Sequence, residues 1–266
     1  MSDNWINEQT RLGVVQFDCA MIEMYPESNS SVENSDNYLN TIGGICNYIA
    51  AIDQIPWPKY IKLNAKVLDL GCGGGWLSAI LSKLNAVEIV YALDSSRHFL
   101  HEMLPQVMTE MGGDQSKLVP IEGLFQPLLF DDAHLDVVVA SSALHHAERL
   151  EPVLKDIRRV LKPGGYLFIL NETPWPGYRY LISVLAASVR ILRDLLIQRY
   201  RPYSPSISAS GYLYDPALGD RDYPRWYWED AIRASGFEVL SVIDTGLPTV
   251  KGSQGRSLVH YVCRAI

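Results

Sequence analysis

Cysteine is scarce in this chain, and Cys19, Cys46, Cys72 and Cys263 are scattered without any C-x-x-C spacing. That excludes thiolate zinc modules and disulfide-stapled scaffolds, and it predicts free thiols in a reducing, cytoplasmic setting. Long apolar runs are missing as well. The longest mostly apolar stretch, Tyr180 to Val189, falls short of the ~20 residues that a bilayer span needs. Ser2 to Thr10 is too polar for a secretory leader. Positive charge is in deficit, with 23 Lys and Arg against 30 Asp and Glu and a net charge of −7. A broad nucleic-acid surface needs clustered cations to displace counterions from phosphates, so no nucleic-acid partner is expected. No integral membrane span is expected either; peripheral contact stays open, as does the choice between monomer and homodimer. Internal repeats and low-complexity segments are absent.

What remains is ordinary globular material. The 266 residues are 48% apolar and 20% charged, enough for one large α/β domain with a proper core. Residues 1–60 read as a polar, partly helical region. Ser28 to Asn37 looks like a loop, with Ser35 or Asp36 capping a helix through Tyr38, Ile42, Ile45 and Ile49. Pro56 and Pro58 end that helix.

From Ala65 the pattern changes to short apolar strands separated by helices. Lys66 to Leu70, Glu88 to Leu93, Lys117 to Ile121, Leu135 to Ala140 and Tyr166 to Leu170 read as strands. Trp76 to Leu84 and Glu151 to Leu161 read as helices, the second stopped by Pro163-Gly164-Gly165. Leu240 to Ile243 and Leu258 to Cys263 supply two further strands. Continuous apolar strands alternating with helices imply a parallel sheet covered on both faces. The prediction is an α/β fold with a Rossmann-like seven-stranded sheet. It divides into the N-terminal region, a core over 61–170, an insertion over 171–225 and a closing helix and strands over 226–266. Such sheets bind ligands beyond the carboxyl ends of their strands.

The most informative segment lies at such an end: Asp69-Leu70-Gly71-Cys72-Gly73-Gly74-Gly75-Trp76. Glycines directly after a buried strand let the chain turn tightly and let a ligand approach the backbone without meeting a Cβ. A nicotinamide fingerprint, G-x-G-x-x-G/A, needs a small sixth residue for close helix–strand packing; here it is Trp76. Asp94 ends the second strand, where an acid can accept both hydroxyls of a ribose. Capping a helix near Ser96 is the other role open to it.

Taken together, these residues resemble the UbiE-type branch of class I S-adenosylmethionine (SAM) dependent methyltransferases. Val67 to Gly75 is similar to that family's first motif and Leu93-Asp94 to its ribose-binding position. Leu128 to Val138 resembles its LPFPDNSFDVV stretch. Ala143-Leu144-His145-His146 and Arg158 to Leu167 match the two motifs that follow. The resemblance covers about Lys66 to Glu172, with the motifs in order at the usual spacings. It implies SAM as cofactor and S-adenosylhomocysteine as product. It places Asp69, Gly71, Cys72, Gly73 and Gly75 at the methionine end, Asp94 and Ser95 at the ribose, and Glu122, Gly123, Leu124 and Phe125 along the adenine. Ser141 falls beside the methionine moiety. Leu124 stands where the family usually has an acid, so Glu122 or backbone groups would have to receive the adenine amine.

Methyl transfer from a sulfonium is an in-line displacement, so alignment is the main task. An oxygen or nitrogen acceptor can also need a base, and His145 and His146 sit at the right edge for it. A purely structural histidine pair is the alternative. His98 and His101 are three apart on a predicted helix, but no third ligand joins them and no metal is expected. Within 171–225, Tyr178 to Arg201 reads as a helix with arginines at 190, 193, 199 and 201. Tyr203, Tyr212, Tyr214, Tyr223, Trp226, Tyr227 and Trp228 follow it. This segment is expected to form a helical cover over the acceptor. The function expected is transfer of a methyl group to O or N of a small molecule: a natural product, a cofactor precursor or a glycan. A SAM-binding partner subunit without turnover is the alternative.

Overall fold

Strands buried on both faces place successive side chains in two different cores. In β2 (Ala65–Leu70), Leu68 and Leu70 join one apolar cluster while Val67 joins the other. The same division runs through β3 (Val87–Asp94) and β5 (Leu135–Ser141). The computed structural model describes residues 3–15, 34–197, 206–207, 212–214 and 219–266.

The main sheet has the order β1-β4-β3-β2-β5-β6-β11-β10. Here β1 is Asp3–Asn4, β4 Leu118–Glu122, β6 Leu161–Glu172, β10 Phe237–Pro248 and β11 Ser257–Ala265. Pairings from β1 through β6 are parallel; β11 and β10 are antiparallel. The sheet is therefore mixed rather than wholly parallel. Its seven long strands are those expected, and β1 adds a two-residue edge. The chain order reverses between β2 and β5, which opens a ligand crevice at their carboxyl ends.

One face is covered by α5 (Leu150–Val160) and α7 (Arg225–Ala234). Leu150, Val153, Leu154, Ile157 and Val160 recur at helical spacing and are buried there. The other face carries α1 (Ser35–Leu39), α2 (Tyr48–Ile52) and α3 (Trp76–Ser82), with α4 (Leu104–Glu110) beyond them. Asn34, not Ser35 or Asp36, caps α1, its side chain accepting from Asn37 N. The expected helix through Ile49 is broken. A π-helical turn, Asn40–Ile45, follows α1, and Cys46 is extended. The cause is tertiary: Cys46 bridges to Val250, Asn47 N donates to Thr249 O, and Lys251 N donates to Ile45 O. Those bonds replace the helical ones and leave Ile45 exposed.

The insertion contains α6 (Gly177–Leu196), which ends before the expected Arg201. A small sheet follows: β7 (Ser206–Ile207), β8 (Leu213–Tyr214) and β9 (Arg221–Asp222). Arg199, Arg201, Tyr203 and residues 28–33 lie outside the described residues. Trp175 N donates to Tyr223 O and Arg225 N to Trp175 O, which ties the two ends of the insertion together at its base.

Ile157 is fully buried between α5 and the sheet. Ile157→Ala is expected to cost about 2–5 kcal/mol of unfolding free energy in denaturant titration; a loss under 1 kcal/mol would show that this face is loosely packed.

Candidate cofactor and acceptor site

The glycine loop closes over the end of β3. Gly71 N and Cys72 N both donate to Leu93 O, at 2.8 and 3.0 Å. Gly73 N donates to Asp94 Oδ2 at 2.9 Å, and Gly74 N to the Tyr38 hydroxyl at 3.1 Å. Gly71 and Gly75 adopt left-handed φ of 73° and 84°. A Cβ on Gly71 would sit 2.9 Å from Ala143 Cβ, and one on Gly75 2.0 Å from Leu104 Cδ1. Both positions therefore need glycine for space as well as for backbone angle. Trp76 is buried in the second apolar cluster, filling the gap that a nicotinamide site would close with glycine.

Beside this loop lies a cavity of about 660 Å³. Of the expected cofactor residues, Gly71, Gly73, Asp94, Ser95, Gly123, Leu124 and Phe125 line it, and His146 stands on its wall. Thr10, Gly13 and Val14 of the N-terminal segment complete it. Asp94 Oδ1 also accepts from Ser96 N at 2.9 Å, closing an Asx turn just ahead of the next helix. An ionised carboxylate offers about four lone-pair sites, which leaves capacity for a ribose diol.

The remaining expected residues stand behind the wall. Asp69 is buried and accepts from Ser78 Oγ at 2.6 Å. Burial pushes its carboxyl up to about 7, against the Ser78 bond. Cys72 is buried, and Gly75 caps α3. Ser141 Oγ accepts from Asn171 Nδ2 at 2.9 Å. Glu122 is buried off the cavity lining: its carboxylate receives Arg11 Nε at 2.6 Å and Nη2 at 3.1 Å, with Arg97 at 3.4 Å. It anchors the N-terminal segment, and the wall at the adenine position is left to Leu124, Phe125 and backbone groups.

At the other end of the cavity four side chains share charge. His145 Nδ1 lies 2.8 Å from Glu172 Oε2, and its Nε2 3.5 Å from Asp220 Oδ1. Burial alone would lower the His145 ring, but Glu172 and Asp220 overcome it and push it up to about 10. His146 Nδ1 is 3.3 Å from the same Asp220 oxygen, with the two rings 4.3 Å apart. Burial and the His145 charge push His146 down to about 4. Against its own burial, Asp220 is held below the ordinary carboxylate range by the two histidines. One ring is thus charged and the other neutral at pH 7. A smaller polar cavity of about 190 Å³ touches His145, Glu172, Asp220 and Tyr48, and Ser142 borders both cavities.

Among the described residues, His145, His146 and Asp220 are the one group able to present three metal-ligand atoms within 4.8 Å. The proton on His145 offsets one of the two carboxylate charges there. His98 is instead bonded to Glu102 at 3.1 Å.

Sequence reasoning missed Tyr38, Arg11, Glu172 and Asp220. Only Glu172 carried a signal, as an acid at the carboxyl end of a central strand.

Comparison with known proteins fits this geometry. Residues 68–169 match the methyltransferase domain family. The chain is 36% identical over 105 residues to a sterol 24-C-methyltransferase of Gibberella zeae, covering 40% of this chain and 27% of that one. It spans about a quarter or less of the length of the curated relatives it matches. A SAM-dependent methyltransferase structure from Mesorhizobium loti superposes with a TM-score of 0.54 at 17% identity, over 84% of this chain and 99% of that one. The [4+2]-cyclase SpnF shares the fold at a TM-score of 0.55 and 14% identity, over 82% of this chain and 79% of that one. Residues 68–169 thus resemble a methyltransferase domain, and the solved neighbours share the fold. SAM is the cofactor named for several of those neighbours. A ribose-ready acid, a side-chain-free loop and an apolar wall for a planar base all suit it.

Asp94→Ala is expected to weaken S-adenosylhomocysteine binding by about 1–3 kcal/mol in calorimetry, the range for a lost charge-assisted hydrogen bond. NAD is expected not to bind; unchanged affinity in the variant would leave Asp94 with capping alone.

His145 also links stability to pH. Its folded pKa, about 10, lies above the ordinary 6.5. The stabilisation is therefore complete below pH 6.5 and lost as pH rises through 10. The Tm advantage of wild type over His145→Gln is expected to shrink across that window; an advantage that grew would reverse the assignment of charge.

Proposed function

We propose that this chain transfers the methyl group of SAM to an oxygen or nitrogen of a small-molecule acceptor, with His146 receiving the acceptor's proton. Bound SAM supplies an electrophilic methyl on a sulfonium. The observation that carries the reading is the division of charge between adjacent histidines, one fixed as a cation and one neutral on the cavity wall.

Asp220 fixes the orientation of His146. Its Oδ1 lies 3.3 Å from His146 Nδ1, so with the ring proton on Nδ1 the basic lone pair would be on Nε2. His145, held by Glu172 and Asp220, keeps the cluster in register. The small cavity beside His145 is lined by hydroxyl, amide and carboxylate groups. That lining suits a polar acceptor head, such as part of a hydroxylated natural product, a cofactor precursor or a glycan. Gly219 and Asp220 bring the insertion to both cavities, which supports 171–225 as the acceptor cover, set between a core at 61–170 and a closing unit at 226–266. Residues 1–60 supply the opposite rim through Thr10, Gly13 and Val14.

His146→Gln is expected to lower turnover by about 10²–10⁴ with S-adenosylhomocysteine affinity unchanged. An acceptor screen read as S-adenosylhomocysteine release supplies the assay. The base must be neutral, so turnover is expected to fall as pH drops through about 4 and to be flat from there to neutrality. Near wild-type turnover in the variant would leave alignment as the whole mechanism. Cofactor binding with no turnover on any acceptor would favour a non-catalytic partner subunit.

A further inference from the structure

The methyl-transfer reading leaves the outer face of α6 unexplained. The inner side packs on the protein through Tyr180, Val184 and Ala187. On the other side Leu181, Ile182, Leu185, Val189, Leu192 and Leu196 are each 59–76% exposed. At about 100° per residue these six fall within an arc of about 100°. They form one continuous apolar stripe along the helix, the kind of contiguous patch that marks an interaction surface. Arg193, Arg179 and Arg190 occupy roughly the next 80° of the helix on one side of it.

We propose that α6 docks this protein in plane on an anionic phospholipid bilayer, with the stripe in the headgroup–acyl boundary and the arginines against the phosphates. No described helix is long and apolar enough to cross a membrane, so the contact is interfacial. A helix with a wide apolar arc and a cationic flank has the chemistry for it. Charge selects this occupant. The chain as a whole carries −7, yet α6 carries three arginines and a single acid. That acid, Asp194, has a side chain only 14% exposed and is paired with Arg193 at 2.7 Å. A second copy meeting the same stripe would bring arginine flanks together, with no exposed α6 carboxylate to answer them. An anionic surface answers Arg179 and Arg190, which the one α6 acid, held by Arg193, does not.

The proposal is independent of the methyl-transfer reading, because none of these side chains lines either cavity. The test is co-sedimentation of the full chain with phosphatidylcholine vesicles, with and without phosphatidylserine. Binding is expected only with phosphatidylserine, and salt should weaken it. Leu185→Glu/Leu192→Glu should reduce it at least roughly tenfold, and Arg190→Gln/Arg193→Gln should reduce it severalfold. Circular dichroism and S-adenosylhomocysteine affinity should stay as in wild type for both. Failure of wild type to bind the anionic vesicles would overturn the proposal. So would binding unchanged in the leucine variant, or a dimer that dissociates on dilution and is abolished by Leu185→Glu.

Discussion

The site depends on one small clamp: the end of β3 holding the turn that leaves β2. Leu93 O takes two loop amides, and the Asp94 carboxylate takes a third. This bends the chain hard enough that Gly71 and Gly75 have no room for a side chain. It also leaves Asp94 on the cavity wall with acceptor capacity remaining. Loop and cavity therefore share a residue: the acid that holds Gly73 N also lines the cavity wall. A buried Asp69 beneath, bonded to Ser78, supports the turn from below.

At the far end of the cavity the governing constraint is like-charge exclusion. A charge on one of two imidazoles 4.3 Å apart disfavours a charge on the other, and the carboxylates decide which ring carries it. Glu172 reaches only His145, so that ring takes the charge and His146 stays neutral. The acids come from different parts of the chain. Glu172 closes β6, while Asp220 comes from the insertion just before β9. Asp220 thus carries a carboxylate from the 171–225 stretch to the two histidines of the core. The [4+2]-cyclase SpnF has the same fold, so side chains rather than the sheet carry the reaction.

Much of this was legible in sequence because it is local. Apolar runs marked the strands, and the glycine loop with Asp94 marked the cofactor end. The His145-His146 pair stood directly after the fourth long strand. What was illegible depends on residues far apart in the chain. Arg11 meets Glu122 across 111 positions, which anchors the N-terminal segment. The expected helix through Ile49 failed because residues 249–251 compete for its backbone bonds. Asp220 lies in a Pro- and Gly-rich stretch with no periodicity to point inward, and only the folded chain brings it to the histidines.

The central claim is that the 660 Å³ cavity is a methyl-donor site with its reactive end at His146. A crystal structure with S-adenosylhomocysteine tests it most directly. The account predicts ribose hydroxyls on the Asp94 carboxylate, the homocysteine backbone along the Gly71–Gly75 loop, and the sulfur beside Ser142 and His146. A ligand bound outside that wall, or one whose sulfur lies at the end away from His146, would contradict it.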